Sequence, residues 1–333
     1  MSADGSADRF TLIAAPGGED DVGGFARAVR TGLSARPKAL PCRYLYDQEG
    51  SRLFEEICTL DEYYLPRAES EILEAHAGEL AALVPAGTTL VELGSGSARK
   101  TRIVIEALLA RAGRLRFVPI DVSRSMLEDS SAALLADYPG LEIVAVAGEY
   151  QQGLARLGAI TDGGPRLILW LGSNIGNFDR AEAAAFLRRV RSRMTGGDRM
   201  LVGADLRKER AIIEPAYDDA AGVTARFSKN LLARINRELG GEFDCDAFRH
   251  RAAYQVEAGR VEIHLVSERA QRVRVGALDL EVDFEPGETI HIEDSYKWSP
   301  AELAELARAA GFRIERPWTD RGDRFSESLL API

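Results

Sequence analysis

The middle of the chain alternates between short apolar runs and segments with helical periodicity. One run, RLILWL, is apolar on both faces, as in a strand that is covered on both sides. The runs that predict strands lie at 88–93, 115–120, 141–147, 166–171 and 200–204. The segments that predict helices lie at 101–112, 125–136 and 180–194. Such alternation predicts an α/β fold with a doubly wound parallel sheet.

The two flanks of this region have different patterns. Before it, residues 62–84 predict a helix with Ile72, Leu73, Leu80 and Leu83 inward. After it, residues 205–250 look helical, and the period-two runs VEIHLV, RVRV, LDLEVDF and TIHI then predict strands. A helix over 300–310 and a hairpin formed by FRIERPW and RFSESLLAPI close the chain.

These patterns predict two lobes and a short terminal segment. Extra elements precede and follow the central region, so a second, α+β lobe is expected to assemble from both flanks. The predicted sheet domain is 69–204 plus 295–333, the predicted substrate-binding lobe is 13–68 plus 205–294, and residues 1–12 are expected to be a flexible terminus.

The composition and charge of the chain disfavour several classes of binding partner. The formal net charge is -10, with basic and acidic residues intermixed, which disfavours nucleic acid as a partner. No apolar run approaches the roughly 20 residues that a membrane helix needs, and the first residues lack the features of a signal peptide. The cysteines and histidines show no metal-ligand or disulfide spacing. We therefore expect a cytoplasmic, monomeric protein without a metal, acting on a small molecule.

The stretch VELGSGSARKT marks the first candidate ligand site. Gly94 and Gly96 follow the first predicted strand of the sheet, at the edge where open α/β sheets bind ligands. A dinucleotide-binding turn has a third glycine, but Arg99 occupies that position here. The turn therefore suits a ligand that approaches the backbone closely and has no pyrophosphate.

The next strand ends in Asp121, whose carboxylate could accept both hydroxyls of a ribose. A glycine turn without a phosphate cradle, followed by an acid after the second strand, favours S-adenosylmethionine as the cofactor. A nicotinamide cofactor, or a glycine turn that holds no ligand, remains an alternative at this point.

Two later loops agree with a methyl donor. Glu149 and Tyr150 follow the third strand, where adenine could lie between a polar contact and an aromatic ring, although Tyr150 could also be a core residue. The stretch LGSNIGNF follows the fourth strand, where this fold commonly places the reacting group. Its glycines and asparagines would also suit an ordinary turn.

From about Gly32 to the C-terminus, the chain resembles the histidine Nα-methyltransferases of ergothioneine biosynthesis. The resemblance lies in long stretches in the same order, which are LPCRYLYDQEGSRLFEEI, LDEYYLPRAE, VELGSGSARKTR, LGSNIGNF, AYDDAAGVTARF, ALDLEVDF and IEDSYKW. It implies a class I S-adenosylmethionine-dependent methyltransferase, with a Rossmann-like sheet and a second substrate-binding lobe. The implied reaction adds three methyl groups to the α-amine of L-histidine, giving hercynine and S-adenosylhomocysteine.

The resemblance also implies roles for individual residues. The donor would contact Gly94, Lys100, Asp121, Glu149 and Tyr150. Tyr46 and Asn177 would hold the α-amine and Tyr217 the α-carboxylate. The residues that would read the imidazole are Tyr63, Glu293 and Ser295.

Two departures from the family pattern leave substrate details open. The family usually has a shorter acid and a phenylalanine at the positions of Glu149 and Tyr150, and commonly a methionine beside the ring where this chain has Ile263. Glu293 and Ser295 favour histidine, because a substrate without the imidazole nitrogens would leave buried polar groups unpaired. The alternatives are Nα-methylation of another amino acid, such as tryptophan or tyrosine, and a non-catalytic protein that binds the donor or an amino acid.

Overall fold

The computed structural model describes residues 9–15 and 21–333. Its strands are β1 Phe10–Ala14, β2 Lys38–Ala39, β3 Thr89–Leu93, β4 Leu115–Asp121, β5 Leu141–Ala147, β6 Arg166–Trp170, β7 Arg199–Asp205, β8 Phe248–Gln255, β9 Arg260–Ser267, β10 Gln271–Val275, β11 Leu280–Phe284, β12 Thr289–Tyr296, β13 Phe312–Thr319 and β14 Phe325–Pro332. Its α-helices are α1 Val22–Ser34, α2 Gln48–Ile57, α3 Leu65–Leu83, α4 Thr101–Ala112, α5 Arg124–Asp137, α6 Tyr150–Ile160, α7 Arg180–Arg191, α8 Arg210–Tyr217, α9 Val223–Leu239 and α10 Pro300–Ala309.

The chain divides into two compact units. Unit 1 comprises 1–18, 65–207 and 297–333, and unit 2 comprises 19–64 and 208–296. The unit boundaries at Leu65, Arg207 and Lys297 lie within four residues of the boundaries that the sequence pattern predicts. Residues 1–8 of the predicted flexible terminus lie outside the described residues.

Among the described residues, unit 1 is built on an eight-stranded sheet in the order β1-β5-β4-β3-β6-β7-β14-β13. The strands from β1 to β7 in this order are parallel, as the alternating pattern predicts, and β14 and β13 run antiparallel to their neighbours. The order reverses between β3 and β6. Open α/β sheets bind ligands at the carboxyl ends of the strands at such a reversal.

One prediction for the terminus is wrong. Phe10–Ala14 is not part of a flexible segment but the edge strand β1, which pairs in parallel with β5. Its apolar residues FTLIA lie in unit 1, whereas the sequence pattern assigns residue 13 onward to the substrate lobe. A five-residue strand separated from its partner β5 by more than a hundred residues leaves no local signal of that pairing.

The core of unit 1 follows the sequence pattern closely. All residues of β3 and of β6 are buried, which explains their continuous apolar character. Ile72 and Leu80 of α3 are buried as predicted, but Leu83, the last residue of the helix, is only half-buried. Val84, one residue further, is buried instead.

Unit 2 contains a four-stranded sheet, a two-stranded hairpin and helices within the described residues. The sheet has the order β2-β12-β9-β8, and β10 pairs with β11. The period-two runs predict β9 to β12, whereas β8 begins inside the region that looks helical. That region is also interrupted between α8 and α9, where Gly222 adopts a left-handed conformation with φ of 70°.

A β-bulge in β12 determines which side chains share a face of this sheet. His291 lies opposite His264, but Glu293 lies opposite Ile263, so the register shifts between them. Because neighbouring residues of β9 alternate between faces, the shift places His291 and Glu293 on opposite faces. Without the bulge, their spacing of two residues would have placed them on the same face.

Candidate active site

The turn after β3 has a backbone that only small residues tolerate. Gly94 and Gly96 have φ of 76° and 48°, and Ala98 has φ of 53°. A Cβ atom at Gly94 would lie 2.7 Å from the Tyr150 hydroxyl and 2.9 Å from Asn174 Nδ2. Gly94 is thus required both by its backbone conformation and by the two polar side chains that approach it. Arg99 is exposed.

Asp121 holds the same turn from the end of β4. Its Oδ2 accepts a hydrogen bond from the Gly96 N–H at 2.9 Å, and its Oδ1 accepts one from the Ser123 N–H at 2.9 Å. A carboxylate has two acceptor oxygens, each able to take more than one hydrogen bond, which is the chemistry that ribose hydroxyls require. Asp121 therefore shapes the turn as well as being the expected ribose acceptor.

Glu149 and Tyr150 start α6, directly after β5. Glu149 occupies the N-cap position, and Tyr150 is the first residue of the helix. The Tyr150 ring packs at 5.9 Å from the Phe186 ring, and its hydroxyl lies over Gly94. Tyr150 is half-buried, so it combines packing against the core with a hydroxyl at the candidate donor site.

Lys100 pairs with a buried acid that the sequence does not identify as a site residue. Its ammonium forms an ion pair with Glu69 Oε2, and Glu69 is 0% exposed. The other oxygen, Glu69 Oε1, accepts a hydrogen bond from the Gly172 N–H at 2.6 Å. Glu69 therefore connects the lysine before α4 to the loop that follows β6.

The loop after β6 carries Asn177 in a short helical turn, Asn174–Asn177. Ser173 precedes this turn in a left-handed conformation with φ of 60°, and its hydroxyl accepts a hydrogen bond from the Asp205 N–H at 2.9 Å. Asn174 Nδ2 points at Gly94, so this amide reaches the donor turn. The structure thus shows a shaped loop, and Asn174 joins the side chains around Gly94.

Glu92 is a second buried acid in this region. It lies on β3 two residues before Gly94, and both of its carboxyl oxygens lie 2.8 Å from the Thr101 hydroxyl. Burial raises the pKa of Glu92 to about 8, although the hydrogen bond from Thr101 lowers it. The carboxyl therefore changes charge near neutral pH, within the strand that leads into the donor turn.

Five aromatic rings cluster in unit 2. The Tyr46 ring packs edge-on at 5.5 Å from Phe54 and at 5.4 Å from Phe227, and the Tyr63 ring lies 6.2 Å from Phe54 and 6.1 Å from Tyr217. Burial raises the pKa of the Tyr63 phenol well above its usual range, with Tyr217 adding to the effect. We call Tyr46, Phe54, Tyr63, Tyr217 and Phe227 the aromatic cluster.

Tyr217 and Ser295 meet directly within unit 2. The Tyr217 hydroxyl lies 2.9 Å from the Ser295 hydroxyl, and both residues are buried. The resemblance assigns these two residues to different ends of the substrate, whereas in the structure they share a hydrogen bond. His250 Nε2 lies 2.8 Å from the Tyr217 carbonyl, and burial lowers the pKa of His250, so a neutral imidazole can donate to that carbonyl.

Glu293 and Ile263 are cross-strand neighbours in the four-stranded sheet. Ile263 is buried, whereas Glu293 is half-buried. The thiol of Cys42 lies in the field of Glu293: burial first, and then this carboxylate, raise its pKa to about 12. Glu293 therefore supplies negative charge to a region whose other predicted substrate residues are phenols, a hydroxyl and an alkyl side chain.

The structure groups the predicted residues by unit. In unit 1, Gly94, Tyr150 and Asp121 surround one turn, while Lys100 and the loop that carries Asn177 both connect to Glu69. In unit 2, Tyr46, Tyr63, Tyr217 and Ser295 are linked by ring contacts or a hydrogen bond. The residues that the sequence does not single out are Glu69, Glu92, Asn174, Phe54, Phe227 and His250. Of these, Phe54, Glu69, Glu92, Asn174 and Phe227 lie inside family-like stretches, which was the available signal.

Over 9–15 and 21–333, no group of three or more His, Cys, Asp or Glu side chains is arranged to hold a metal ion. In the same ranges, no helix has both the length and the apolar character needed to cross a membrane.

Comparisons with known proteins agree with one another. Residues 25–332 match the family model described as histidine-specific methyltransferase, SAM-dependent. The chain is 46% identical over 314 residues to the histidine N-alpha-methyltransferase of Mycobacterium tuberculosis, covering 94% of this chain and 97% of that protein. It is also 34% identical to ergothioneine biosynthesis protein 1 of Neurospora crassa, covering 89% of this chain but 33% of that protein.

A solved structure is also similar. Magnesium protoporphyrin IX methyltransferase from Synechocystis, with bound S-adenosylhomocysteine, gives a TM-score of 0.44 at 12% identity, covering 87% of this chain and 98% of that one.

Proposed function

Because this chain belongs to the S-adenosylmethionine-dependent, histidine-specific methyltransferases, we propose that it adds three methyl groups to the α-amine of L-histidine. The product is the betaine hercynine, and the by-product is S-adenosylhomocysteine. The observation that carries the proposal is the pairing, in one chain, of a glycine turn held by Asp121 with a substrate strand that bears Glu293 and Ser295.

The residues of unit 1 fit the methyl donor. Gly94 leaves room for a ligand next to the Tyr150 hydroxyl, where any side chain would collide. Asp121 offers carboxylate oxygens for the ribose, and Lys100 offers an ammonium for the carboxylate of the donor's amino-acid part. When bound, the donor supplies an electrophilic methyl group on a sulfonium, which needs no acid to activate its leaving group.

The polar groups of unit 2 fit histidine. Glu293 accepts a hydrogen bond from an imidazole N–H, and Ser295 serves the other ring nitrogen as donor or acceptor. The Tyr217 hydroxyl, already bonded to Ser295, donates to the α-carboxylate. Each hydroxyl has one proton, so while Tyr217 donates to the α-carboxylate the mutual contact is kept only if Ser295 donates to the Tyr217 oxygen and accepts from a ring N–H.

The chemistry depends mainly on alignment of the amine with the methyl carbon. The amine must be neutral when it attacks, so Tyr46 and Asn177 orient it through groups that both donate and accept hydrogen bonds. No strong base is assigned, and the released proton leaves to water or through Tyr46. The aromatic cluster provides ring faces that tolerate the cation formed by each methyl transfer without requiring N–H donors.

The reaction belongs to ergothioneine biosynthesis in this proposal, as its first step. A relative named for that pathway and another named for the histidine reaction support the placement. The cytoplasmic location, the monomeric state and the absence of a metal remain predictions from the sequence.

A competition assay with a labelled methyl donor tests the proposal. The purified protein is incubated with the donor and each of histidine, tryptophan, tyrosine and phenylalanine. The labelled products are separated, and mass spectrometry identifies and quantifies them. We expect histidine to be methylated with a kcat/KM at least about a hundredfold above the others, because none of the other side chains presents the two imidazole nitrogens to Glu293 and Ser295. A preference for an amino acid without an imidazole would overturn the proposal.

One residue supports a second candidate substrate class. Ile263, rather than methionine, lies opposite Glu293 and changes the shape of the space beside the ring. If the same assay shows preferred methylation of tryptophan or tyrosine, Nα-methylation of that amino acid becomes the function. Binding of donor and amino acid without any turnover would instead indicate a non-catalytic protein.

A further inference from the structure

Two fully buried carboxyl groups converge in unit 1 beside Lys100. Glu69 on α3 and Glu327 on β14 are both 0% exposed. A Cβ atom placed on Gly203 of β7 would lie 2.4 Å from Glu69 Oε1 and 2.8 Å from Glu327 Oε1. Both carboxyls therefore occupy the space above this glycine.

The hydrogen bonds around the pair identify the ionised member. Both oxygens of Glu69 have donors, one from the Lys100 ammonium and the other from the Gly172 N–H at 2.6 Å. Among the described residues, no N–H or hydroxyl group reaches either oxygen of Glu327. Glu69 is thus placed as the carboxylate, whereas Glu327 lacks the donors that a buried anion needs.

A single proton between the two groups resolves this arrangement. Two ionised carboxyls cannot share a buried site with one ammonium without a large cost, so one of them stays neutral. Burial, and then the neighbouring Glu69, hold the pKa of Glu327 well above its usual range, whereas Lys100 opposes this shift. A neutral Glu327 has an O–H. The Glu69 carboxylate, which occupies the same space above Gly203, is the acceptor for this O–H.

We propose that Glu327 is a positioning residue of the donor site. Its carboxyl O–H donates a hydrogen bond to the Glu69 carboxylate, and this bond fixes both Lys100 and the Gly172 loop. Glu69 then has three donors: Glu327, Lys100 and the Gly172 N–H. Lys100 is the group that the proposed function assigns to the donor's carboxylate, and this inference rests on that assignment. Glu327 itself touches neither substrate nor donor.

Gly203 leaves the space that this geometry needs. Its Cβ would also lie 3.1 Å from the Phe325 ring, so the backbone of β7 can approach β14 only without a side chain there. The glycine has no positive φ that would otherwise require it. Its role is therefore to leave room for the two carboxyl groups.

Substitutions at Glu327 separate the effect of hydrogen-bond donation from the effect of packing. Glu327→Gln keeps a donor N–H of similar size, and Glu327→Met fills the space without one. We expect calorimetry with S-adenosylhomocysteine to give a Kd within about threefold of the unchanged protein for the glutamine variant, and a Kd about tenfold higher for the methionine variant, the effect of losing a hydrogen bond to a charged group. Histidine binding should be unchanged in both.

Two results would overturn the inference. In the first, both variants bind the donor analogue as tightly as the unchanged protein, with only a lower Tm for methionine, which would make the role purely structural. In the second, the glutamine variant loses as much affinity for S-adenosylhomocysteine as the methionine variant, which would exclude hydrogen-bond donation as the role of Glu327.

Carbon-13 NMR of glutamate-labelled protein keeps the test decisive if the methionine variant does not fold. At neutral pH we expect a buried carboxyl resonance with the shift of a protonated acid that Glu327→Gln removes and Glu92→Gln does not. If no such resonance is lost, the inference fails. If the unchanged protein does not bind the donor analogue at all, the proposed function fails at its donor site, whereas the NMR result still decides the protonation of the pair.

Discussion

The polar groups of unit 1 and of unit 2 are organised in different ways. In unit 1 the candidate donor residues are charged groups tied to backbone N–H groups: Asp121 holds Gly96 and Ser123, and Glu69 holds Gly172. In unit 2 the candidate substrate residues are mainly rings and hydroxyls in mutual contact, such as Tyr46 on Phe227 and Tyr217 on Ser295. Glu293 is the exception there.

This difference matches what each ligand presents. The donor keeps the same adenosine and amino-acid groups in every cycle, so fixed charges and backbone groups suit it. The substrate amine loses an N–H with each methyl group and ends as a permanent cation, so rings and hydroxyls that adapt their protons suit it better. A fixed carboxylate is useful only at the imidazole, which does not change during the reaction.

The largest effect is expected from removing the one acid of the substrate region. Glu293→Ala should lower kcat/KM for histidine by about a hundredfold, because it removes a hydrogen bond between a charged acceptor and the imidazole N–H. The Kd of S-adenosylhomocysteine should stay within about twofold. Steady-state kinetics and calorimetry check both values. Glu293→Gln, which keeps a carbonyl acceptor without the charge, should have a kcat/KM between those of the unchanged protein and the alanine variant. An unchanged kcat/KM for histidine in the alanine variant would refute the role of Glu293.

A smaller and opposite pattern is expected from the donor region. Asp121→Asn should raise the Kd of S-adenosylhomocysteine by about thirtyfold. The carboxylate now accepts hydrogen bonds from two backbone N–H groups, and the amide NH2 of asparagine would face one of these donors. Histidine affinity should be retained. Calorimetry with each ligand measures the two effects separately. Loss of histidine affinity alone would mean that the donor and substrate roles of the two regions are reversed.

The hydroxyl pair of unit 2 should show coupling instead of two independent roles. Tyr217→Phe and Ser295→Ala are each expected to lower kcat/KM for histidine by about five- to tenfold. Because the hydroxyls lie 2.9 Å apart, the double variant should lose less than the product of the two single effects. A double-mutant cycle from steady-state kinetics gives this value. Fully multiplicative losses would show that the two hydroxyls act separately, as the resemblance alone implies.

The smallest effect concerns stability in unit 1. The pKa of Glu92 is raised in the folded protein from its ordinary value of 4.5 to about 8, so the contribution of its neutral form to stability is fully present below about pH 4.5 and is lost progressively as the pH rises to about 8. Glu92→Gln, which stays neutral, should therefore gain Tm relative to the unchanged protein by a few degrees at pH 9, with a smaller relative gain at pH 6. Thermal unfolding at both pH values checks this. An equal difference at both would show that Glu92 does not titrate in this range.

The sequence signals that predict the donor region are local. Gly94, Gly96 and Asp121 follow strands whose apolar runs are readable in the chain, and the parallel sheet brings the ends of those strands to one edge. The acids near Lys100 are not local: Glu69, its ion-pair partner, comes from α3, and Glu327, which lies beside Glu69, comes from the last strand. A buried acid in the pattern of a helix or strand looks like a surface position until its neighbours are known.

The substrate region is predictable only through the family resemblance. Tyr46, Tyr217 and Ser295 are far apart in sequence, and no spacing rule relates them. Period-two alternation would place His291 and Glu293 on one face, whereas the bulge between them separates the two side chains. The strand β8 was missed because its charged and small residues resemble the helical segment before it.

NMR of the product formed from histidine and a donor with a carbon-13-labelled methyl group tests the central claim most directly. The account predicts that the label appears as three equivalent methyl groups on the α-nitrogen, with both imidazole nitrogens unmodified. Label on a ring nitrogen or on the carboxylate, or no labelled product while both ligands bind, would contradict it.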